Sequence, residues 1–263
     1  MPKVSVLMPA YNSEAFVAEA IESILNQTYT DFEFIIINDG STDKTAEIID
    51  EYAKNDSRIK FINNHKNQGL IAVLNQGLDL CTGEYVARMD SDDISMPQRF
   101  EKQVQYMDEH QEVGILGTWI DFFPTTTMQG VGHHKKNIAV MDVLRGWCVN
   151  HPTVMMRKSV LTKHALRYRA DFIAAEDYDL WAQAVRVTKI ENLQETLLRY
   201  RFHEASVTNT AKNKALESVE KTKKELLNFL TEDEELQKRL LGALNPRKKK
   251  ISVLRKIKNK IFN

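Results

Sequence analysis

The sequence predicts an α/β protein with a doubly wound, mostly parallel sheet. Buried strand patterns and amphipathic helix patterns alternate over roughly the first ninety residues, as expected for parallel strands joined by helical crossovers. The four strand patterns all end in polar stretches, at residues 9–12, 38–41, 64–69 and 90–93. Because ligands bind outside the carboxyl ends of the strands in such sheets, we expect these stretches to gather around one site.

The alternating region is predicted to contain four strands and three helices. The strands cover Val4 to Met8, Phe34 to Ile37, Ile59 to Ile62 and Tyr85 to Met89, as short and largely apolar runs. Apolar residues at helical spacing predict helices from Phe16 to Leu25, through Ile48, Ile49 and Tyr52, and from Leu70 to Leu80. We expect Ser13 and Thr42 to cap the first two helices, since their hydroxyl oxygens can accept unpaired backbone N–H groups.

The pattern is less regular beyond Asp93. Helices are predicted from Met96 to Glu109 and after the stretch Ala174 to Asp177, and the chain is helical and highly charged from Ala211 onward. Strands are predicted at Val113 to Phe123, Val154 to Met156 and Leu197 to His203, with a loop from Met128 to Asn137 that carries His133 and His134 over the site. We expect Trp181 to pack in the core rather than against a ligand, because it lies on an apolar helical face.

Composition indicates a reduced, cytoplasmic setting and argues against several classes of protein. The first apolar run is too short for a signal peptide, and no stretch approaches the roughly 18 apolar residues of a spanning helix. Cys81 and Cys148 are the only cysteines, which argues against a disulfide framework and a structural zinc site. The chain also lacks the Gly-x-Gly-x-x-Gly pattern of dinucleotide-binding folds and the Gly-Lys-Ser or Gly-Lys-Thr of a P-loop.

An acidic run after the fourth strand is the strongest chemical signal. In Asp90-Ser91-Asp92-Asp93 the first and third carboxylates can point to one spot, because side chains two apart on an extended chain share a face. Mg²⁺ and Mn²⁺ prefer oxygen ligands, and Mg²⁺ is commonly held by one or two carboxylates together with substrate phosphates. The spacing therefore indicates a metal site for a phosphate-bearing substrate, although an Asp-rich surface turn has the same pattern.

Five motifs in order resemble the family 2 glycosyltransferases. They are Val4 to Asn12 (VSVLMPAYN), Ile37 to Asp43 (INDGSTD), Asn67-Gln68-Gly69, Met89 to Asp93 (MDSDD) and Ala175-Glu176-Asp177, and the resemblance covers about residues 3–208. It implies a GT-A fold with a Rossmann-like nucleotide-binding half, and sugar transfer from a nucleoside diphosphate donor with inversion at the anomeric carbon. The stretches His151 to Arg157 and Tyr200 to His203 further resemble bacterial members that build O-antigen, capsule or exopolysaccharide.

The resemblance implies a nucleotide-sugar site at the strand ends. Pro9, Ala10, Tyr11 and Glu14 would border the nucleobase and ribose, Asp39 would accept a hydrogen bond from the uracil edge, and Asn67, Arg88, Asp90, Ser91 and Asp92 would complete the donor contacts. Asp92 would be the main ligand of Mn²⁺ or Mg²⁺, with Asp90 and His203 also in the metal shell. A plain turn at Asp39-Gly40, a solvated Arg88 and a structural His203 are the alternatives on the residues alone.

The resemblance assigns the chemistry to Glu176 and Asp177. Asp177 would be the general base that takes the acceptor hydroxyl proton in a single displacement, and Glu176 would orient or bind the acceptor. The alternative is an acidic first helical turn that is favoured by the helix dipole. Weaker candidates for acceptor contacts are Asp93, Trp147, His151 and Arg157.

The end of the chain is strongly basic. Residues 247–263 hold eight Lys or Arg and no acid, which leaves a net charge of −8 on the preceding part. Ile251, Leu254, Ile257 and Ile261 recur at helical spacing among these basic residues, which favours a helix on an anionic membrane surface. A solvated or disordered basic tail is the alternative. Nucleic-acid binding is not expected, since nothing else in the chain supplies a basic face.

The motifs together predict an inverting, metal-dependent transferase that moves a hexose from a UDP-sugar to a saccharide or undecaprenyl-diphosphate-linked acceptor, with a β-glycosidic product. Residues 1–210 would form the catalytic domain, divided into a nucleotide-sugar half (1–93) and an acceptor half (94–210), and residues 211–263 a helical, basic amphipathic tail. The protein would be cytoplasmic, or peripheral on the inner face of the cell membrane. The alternatives are a sugar nucleotidylyltransferase, which would carry a Gly-rich basic loop after its first strand, and a non-catalytic nucleotide-sugar-binding protein.

Overall fold

The computed structural model describes residues 1–124, 132–146, 148–202 and 212–244, which form a mixed α/β structure. The strands are β1 (Val4–Ala10), β2 (Phe32–Asp39), β3 (Ile59–Asn64), β4 (Tyr85–Arg88), β5 (Ile94–Ser95), β6 (Val113–Phe123), β7 (Asn137–Ile138), β8 (Met155–Arg157) and β9 (Lys189–Arg201). The helices are α1 (Val17–Leu25), α2 (Thr45–Asn55), α3 (Leu70–Leu80), α4 (Arg99–Glu109), α5 (Val140–Arg145), α6 (Lys158–Lys163), α7 (Glu176–Ala184), α8 (Lys212–Leu230) and α9 (Glu234–Leu244), with a 3₁₀ turn at His151–Thr153. None of the helices described is both long enough and apolar enough to cross a bilayer.

The strands form one mixed sheet in the order β3-β2-β1-β4-β8-β6-β9-β5, and β7 pairs with β9. β1 pairs in parallel with β2 and β4, and β2 pairs in parallel with β3, which is the half predicted to be doubly wound. The direction reverses at β8, which pairs antiparallel with both β4 and β6. In the parallel half the register places Ala10 beside Asn38 and Leu7 beside Arg88, so the carboxyl ends of three strands lie together.

Helices cover both faces of the sheet, because alternate residues of its parallel strands are buried on opposite sides. On one face, Val6, Met8 and Ile36 pack with α1, α2 and α4. On the other face, Leu7 and Ile35 pack with α3, α5, α7 and the two carboxyl-terminal helices. This layering is expected for parallel strands, whose two faces are both apolar.

The predicted strands and helices of the first half are present, but the two predicted caps are wrong. α1 begins at Val17, and the buried Ser13 hydroxyl has no hydrogen-bond partner in the described part of the chain. α2 begins at Thr45, whose amide donates to the Asp43 side chain at 3.0 Å, so Thr42 does not cap this helix. Both residues lie in loops that contact each other. This tertiary contact, and not the start of a helix, determines the hydrogen bonds of the two loops.

The second half contains elements that the sequence pattern did not predict. β9 begins at Lys189 rather than at Leu197, and it pairs in parallel with β6 through three register irregularities. The helices α5 and α6 have six residues each, which is too short for a helical period to show in the sequence. Trp181 is fully buried, as predicted.

The helices α8 and α9 pack onto the rest of the structure. Leu226, Leu227 and Leu240 are almost completely buried, in the same core as α7. Arg169 joins α7 to α8, since its guanidinium pairs with buried Asp179 of α7 and with Glu225 of α8 at 2.8 Å. Residues 212–244 therefore share one core with the region that precedes residue 210.

Candidate functional site

Two polar loops at the carboxyl ends of β1 and β2 are joined by hydrogen bonds between side chains and backbone. The Asn12 amide donates to the Ser41 hydroxyl oxygen at 2.9 Å. Glu14 bonds in both directions: its amide donates to Asp43 Oδ2 at 3.1 Å, and its own Oε2 accepts the Lys44 amide at 2.9 Å. These bonds fix the two loops relative to each other. They involve Glu14, which was predicted to border the nucleobase and ribose.

The predicted nucleobase contacts lie at the end of β1. Pro9 and Ala10 are buried as the last residues of the strand, and the Tyr11 side chain that follows is 49% exposed. Asn67 is exposed in the loop after β3. An exposed aromatic ring beside a strand end gives a ligand an apolar surface to contact.

Asp39 holds the loop that follows β3. Its two oxygens accept the amides of Gln68 and Gly69, each at 2.9 Å, and the residue is 4% exposed. Gly40 has a φ of +69°, and a Cβ there would lie 2.6 Å from the carbonyl carbon of Lys66, so glycine is required at this turn. Each carboxylate oxygen has two lone pairs, so Asp39 keeps the capacity to accept a ligand N–H as well.

A buried ion pair lies at the end of β4. Arg88 Nη2 pairs with Asp90, and the Arg88 side chain is only 3% exposed. Burial opposes the charge of Arg88, but the neighbouring Asp90 outweighs burial and raises the pKa of the guanidinium. The Nε and Nη1 atoms of Arg88 have no hydrogen-bond partner among the residues described. Buried donors without partners are costly, so the position of Arg88 at this strand end costs stability.

The three aspartates after β4 form a compact acidic cluster. Oxygens of Asp90, Asp92 and Asp93 lie within 4.8 Å of one another. Asp93 is 1% exposed, and its Oδ1 accepts the Arg201 amide at 2.8 Å, whereas its Oδ2 has no partner within the described ranges. Burial, and then the charges of Asp90 and Asp92, raise the pKa of Asp93 well above its usual value. A cation placed among these oxygens would relieve the repulsion.

Glu176 and Asp177 begin α7 and share the electrostatic field of this cluster. Burial, and then the charge of Asp177, raise the pKa of Glu176 to about 7. Burial raises the pKa of Asp177 to about 6, against the opposing effects of the Tyr178 amide, which donates to Asp177 Oδ1 at 2.6 Å, and of Arg88. The charge of Asp90 raises both values. The two acidic motifs therefore interact electrostatically.

His151 and Tyr168 form an uncharged wall near Arg88. The His151 Nε2 atom and the Tyr168 hydroxyl oxygen are 2.8 Å apart, and both side chains are buried. Burial, followed by the charge of Arg88, lowers the pKa of His151 well below its usual value, so the imidazole is neutral at pH 7. The ring of Trp181 meets that of His151 edge-on, with centroids 5.9 Å apart.

The structure does not bring Arg157 to this site. β8 pairs antiparallel with β4 and places Arg157 beside Tyr85, at the opposite end of β4 from Arg88. There the guanidinium donates to the Met107 carbonyl oxygen at 2.8 Å and to the Tyr85 hydroxyl at 3.2 Å. The position predicted to contact the acceptor is instead a crosslink between β4 and α4.

Several predicted residues lie outside the described ranges. These are Trp147, His203 and the basic residues of 247–263. Their predicted roles in acceptor contact, metal binding and membrane binding stay predictions. The described part of the predicted loop over the site, residues 132–136, lies against β6, where His133 stacks on Trp119 with ring centroids 4.5 Å apart.

Three residues of the site were not predicted from the sequence. Arg201 donates its Nε hydrogen to the Asp92 carbonyl oxygen at 2.7 Å. It lies in the stretch Tyr200 to His203, so the sequence did contain a signal for it. Arg99 is fully buried and donates to the Arg88 carbonyl oxygen at 2.7 Å, and burial followed by the charge of Arg88 lowers its pKa to about 9. Arg99 and Tyr168 have no local signal, because only tertiary packing brings them to the site.

Comparison with known sequences gives a consistent result. Residues 5–174 match the profile of the family described as Glycosyl transferase family 2. The chain is 35% identical to an uncharacterized glycosyltransferase of Haemophilus influenzae, over 87% of this chain and 74% of that protein. It is 39% identical to the putative glycosyltransferase EpsE of Bacillus subtilis (76% and 73% covered) and 35% identical to the O-antigen biosynthesis glycosyltransferase WbnJ of Escherichia coli (79% and 83%).

Solved structures confirm the predicted GT-A fold. S. aureus TarS (residues 1–349), in complex with UDP-GlcNAc, superposes with a TM-score of 0.77 at 21% identity, over 93% of this chain and 72% of that one. The mannosyltransferase PcManGT from Pyrobaculum calidifontis, in complex with GDP-Man and Mn²⁺, gives a TM-score of 0.65 at 15% identity, over 98% and 79%.

Proposed function

Because the chain belongs to glycosyl transferase family 2 and is a glycosyltransferase, as its ordered motifs predicted, we propose that it transfers a hexose from a UDP-sugar with inversion. The acceptor is a saccharide or a lipid-linked saccharide, and the product carries a β-glycosidic bond. One observation supports the proposal: oxygens of Asp90, Asp92 and Asp93 lie within 4.8 Å of one another, and the charge of Asp90 raises the pKa of both Glu176 and Asp177.

The acidic cluster fits a divalent cation. Its donors are carboxylate oxygens, which Mg²⁺ and Mn²⁺ prefer, and the buried Oδ2 of Asp93 has no hydrogen-bond partner within the described part. Asp92 and Asp90 would hold the ion, with His203 as a further ligand from outside the described ranges. When bound, Mn²⁺ or Mg²⁺ supplies Lewis-acid stabilisation of the charge that develops on the leaving nucleoside diphosphate.

Asp177 is the proposed general base. Inversion in a single displacement requires a carboxylate that takes the acceptor hydroxyl proton while the oxygen attacks the anomeric carbon. With a pKa of about 6, Asp177 is mostly ionised at pH 7 and is still basic enough to accept that proton. The Tyr178 amide holds one of its oxygens in place. A protein that only bound nucleotide sugars would have no use for this base, which speaks against the non-catalytic alternative.

Glu176 is proposed to bind the acceptor beside the base. Its pKa of about 7 leaves the carboxyl group partly protonated at neutral pH. It can therefore donate a hydrogen bond to an acceptor oxygen or accept one from a hydroxyl group. His151, which is neutral, is a further polar group on this side of Arg88.

The nucleobase end of the site supports a uridine donor. Asp39 is proposed to accept the imide N–H of uracil, and Tyr11 to contact the base. Pro9, Ala10 and Glu14 would border base and ribose, and Asn67, Arg88 and Ser91 would complete the contacts. TarS, which superposes better than PcManGT, was solved with UDP and with UDP-GlcNAc, whereas PcManGT was solved with GDP-Man.

We place the reaction in the synthesis of a bacterial cell-surface polysaccharide, because the relative WbnJ is named for O-antigen biosynthesis. Residues 247–263, with eight basic side chains, would hold the enzyme on the inner face of the membrane. Truncation after Asn245 should reduce co-sedimentation with vesicles that contain phosphatidylglycerol. Equal sedimentation of the full and truncated chains would refute this membrane role.

The proposal is tested by nucleotide release from a panel of UDP-hexoses and GDP-mannose, with Mn²⁺, with Mg²⁺ and with EDTA. Slow donor hydrolysis without acceptor should appear for one UDP-sugar, should require the metal and should be lost in Asp92→Ala. Release from GDP-mannose alone would overturn the uridine assignment. Metal-independent release would overturn the proposed role of the acidic cluster.

A further inference from the structure

A pocket of about 440 Å³ opens beside α5, within the region predicted to bind the acceptor. It is lined by His134, Lys135, Ile138, Asp142, Arg145, Gly146 and Cys148. Small-molecule sites in proteins commonly have volumes of roughly 300–1,000 Å³, so the pocket has the size of a ligand site. The nucleotide and metal groups described above make no use of it.

The helix α5, which forms one wall of the pocket, is hydrogen-bonded to α7, whose first turn carries the proposed base. Tyr178 follows Asp177 in the first turn of α7, and its hydroxyl donates to the Val143 carbonyl oxygen of α5 at 2.5 Å. Val143 is the neighbour of Asp142, which lines the pocket. On the other side of the pocket, burial raises the pKa of the Cys148 thiol, and the charges of Asp142 and then Asp177 raise it further.

The walls of the pocket are held in place by buried hydrogen bonds. The Asn192 side-chain amide donates to the carbonyl oxygens of Lys135 and Cys148, each at 3.0 Å. The indole of Trp119 donates to the His134 carbonyl oxygen at 2.7 Å. Asn192 is 1% exposed. The backbone on two sides of the pocket is thus hydrogen-bonded to side chains of β6 and β9.

Two cations share one carboxylate at the rim. Lys135 Nζ pairs with Asp142 Oδ2, and Arg145 Nη1 lies 3.4 Å from Asp142 Oδ1. The Asp142 side chain is 13% exposed, whereas those of Lys135 and Arg145 are 55% and 54% exposed. Asp142 neutralises only one of the two charges, and both cations keep N–H donors that it does not use. An ammonium and a guanidinium held side by side suit a phosphoryl group.

We propose that this pocket binds the acceptor and that Lys135 and Arg145 hold a phosphoryl group attached to the acceptor saccharide. The inference rests on the proposed function, since it takes Asp177 as the base. The saccharide would fill the space between the rim and Cys148, with the hydroxyl to be glycosylated towards Asp177. A sugar phosphate is therefore bound better than the same sugar without phosphate.

The test is a calorimetric titration of the full chain with α-glucose 1-phosphate, with saturating UDP and Mn²⁺ to fill the donor site. Methyl α-glucoside and inorganic phosphate serve as the two comparison ligands. The sugar phosphate should bind more tightly than either. Lys135→Met/Arg145→Met should weaken that binding by roughly 10- to 100-fold, as expected for lost hydrogen bonds to a charged group.

A matched variant and a second substitution sharpen the result. Lys54→Met/Lys102→Met removes two lysines from exposed ion pairs elsewhere and should leave the affinity unchanged. Asp142→Asn removes the competing carboxylate and should strengthen sugar phosphate binding. Equal binding by the wild type and the Lys135/Arg145 variant, or binding of inorganic phosphate as tight as that of the sugar phosphate, would overturn the inference. Failure of UDP to bind would instead count against the proposed donor, and the same titrations without UDP would still report on the pocket.

Discussion

Charged groups are buried at both ends of the parallel strands, which we call the two edges of the sheet. Within the described ranges, only at the amino-end edge do the buried charged atoms have their hydrogen-bond partners. At the amino ends of the strands, Glu33 is 5% exposed and accepts hydrogen bonds from the Ser5 hydroxyl, from the Thr82 amide and hydroxyl at 2.7 Å each, and from the Lys60 ammonium group. Burial alone would raise the pKa of Glu33, but these donors, Lys60 first, lower it to about 2.

At the carboxyl ends, Asp93 and Arg88 are as deeply buried but keep atoms without hydrogen-bond partners in the described part. There the pKa of Asp93 is raised, by burial and by like charges. A carboxylate that receives several donors stabilises the fold, whereas one that faces like charges costs stability until a ligand arrives. The comparison separates the strand ends that stabilise the fold from the strand ends where the reaction is proposed to occur.

The largest effect is expected at the carboxyl ends of the strands, where the reaction is proposed to occur. Asp177→Asn should lower the transfer rate by roughly 10²- to 10⁴-fold, the usual contribution of a general base. The affinity for UDP, measured by calorimetry, should change by less than twofold because Asp177 is proposed to act on the acceptor. Asp171→Asn, at a 79% exposed position, is the matched control and should transfer normally. Unchanged turnover in Asp177→Asn would remove this residue as the base.

The second largest effect is expected at the amino ends of the strands, where Glu33 is buried. Glu33→Gln should destabilise the protein by about 2–3 kcal/mol, because it removes the negative charge of a group that accepts four hydrogen bonds. Urea unfolding gives the free energy, and transfer by the folded variant should stay close to the wild-type rate. A large loss of transfer without a loss of stability would contradict the separation of the two edges.

The stability of the metal-free protein should depend on pH with opposite signs at the two edges. The folded pKa of Glu33 is lowered from 4.5 to about 2, so its contribution is present above pH 4.5 and is lost as the pH falls towards 2. The folded pKa of Asp177 is raised from 3.8 to about 6, so its contribution is present below pH 3.8 and is lost as the pH rises through 6. We expect about 3 kcal/mol from each group, because one pKa unit corresponds to about 1.4 kcal/mol.

Urea unfolding in EDTA at pH 3, 4.5 and 7 measures both contributions. Glu33→Gln should flatten the fall in stability between pH 4.5 and 3, and Asp177→Asn should flatten the rise in stability between pH 7 and 4.5. If either variant flattened the opposite side, the assignment of the two pKa shifts would be incorrect.

The smallest effect is expected from Asp93→Asn without metal. An asparagine oxygen can still accept the Arg201 amide, while the charge that faces Asp90 and Asp92 is removed. The metal-free variant should therefore be as stable as the wild type, or more stable by about 1 kcal/mol. Its affinity for Mn²⁺, followed by electron paramagnetic resonance, should fall. Destabilisation as large as that of Glu33→Gln would show that Asp93 is a structural residue.

Local patterns explain why the nucleotide-binding half was predictable. The apolar runs of β1 to β4 and the helical spacing in α1 and α3 are properties of consecutive residues, and the acidic run after β4 follows directly from the strand before it. The caps at Ser13 and Thr42 were wrong because the two loops bond to each other instead: the Ser13 amide donates to Thr45 Oγ1, and the Thr42 amide donates to Asn12 Oδ1.

Tertiary register explains what the sequence could not predict in the second half. Arg157 is the last residue of the short strand β8, and only the antiparallel pairing of β8 with β4 shows that it lies at the far end from Arg88. The backbone that lines the pocket beside α5 is held by hydrogen bonds from Asn192 of β9. No sequence pattern near residue 135 predicts this contact. Contacts of this kind are decided by how strands pair, and not by residue type or spacing.

The arginine that joins α7 to α8 limits how relatives of this enzyme can be recombined. Arg169 bridges Asp179, two residues beyond Asp177, and Glu225 on a helix more than forty residues later in the chain. A chimera that took its catalytic part from one parent and its carboxyl-terminal helices from another would lose activity if the second parent lacked an acid opposite that guanidinium. We expect the two segments to be exchangeable only as a unit, so swaps of acceptor specificity should carry residues 132–244 together.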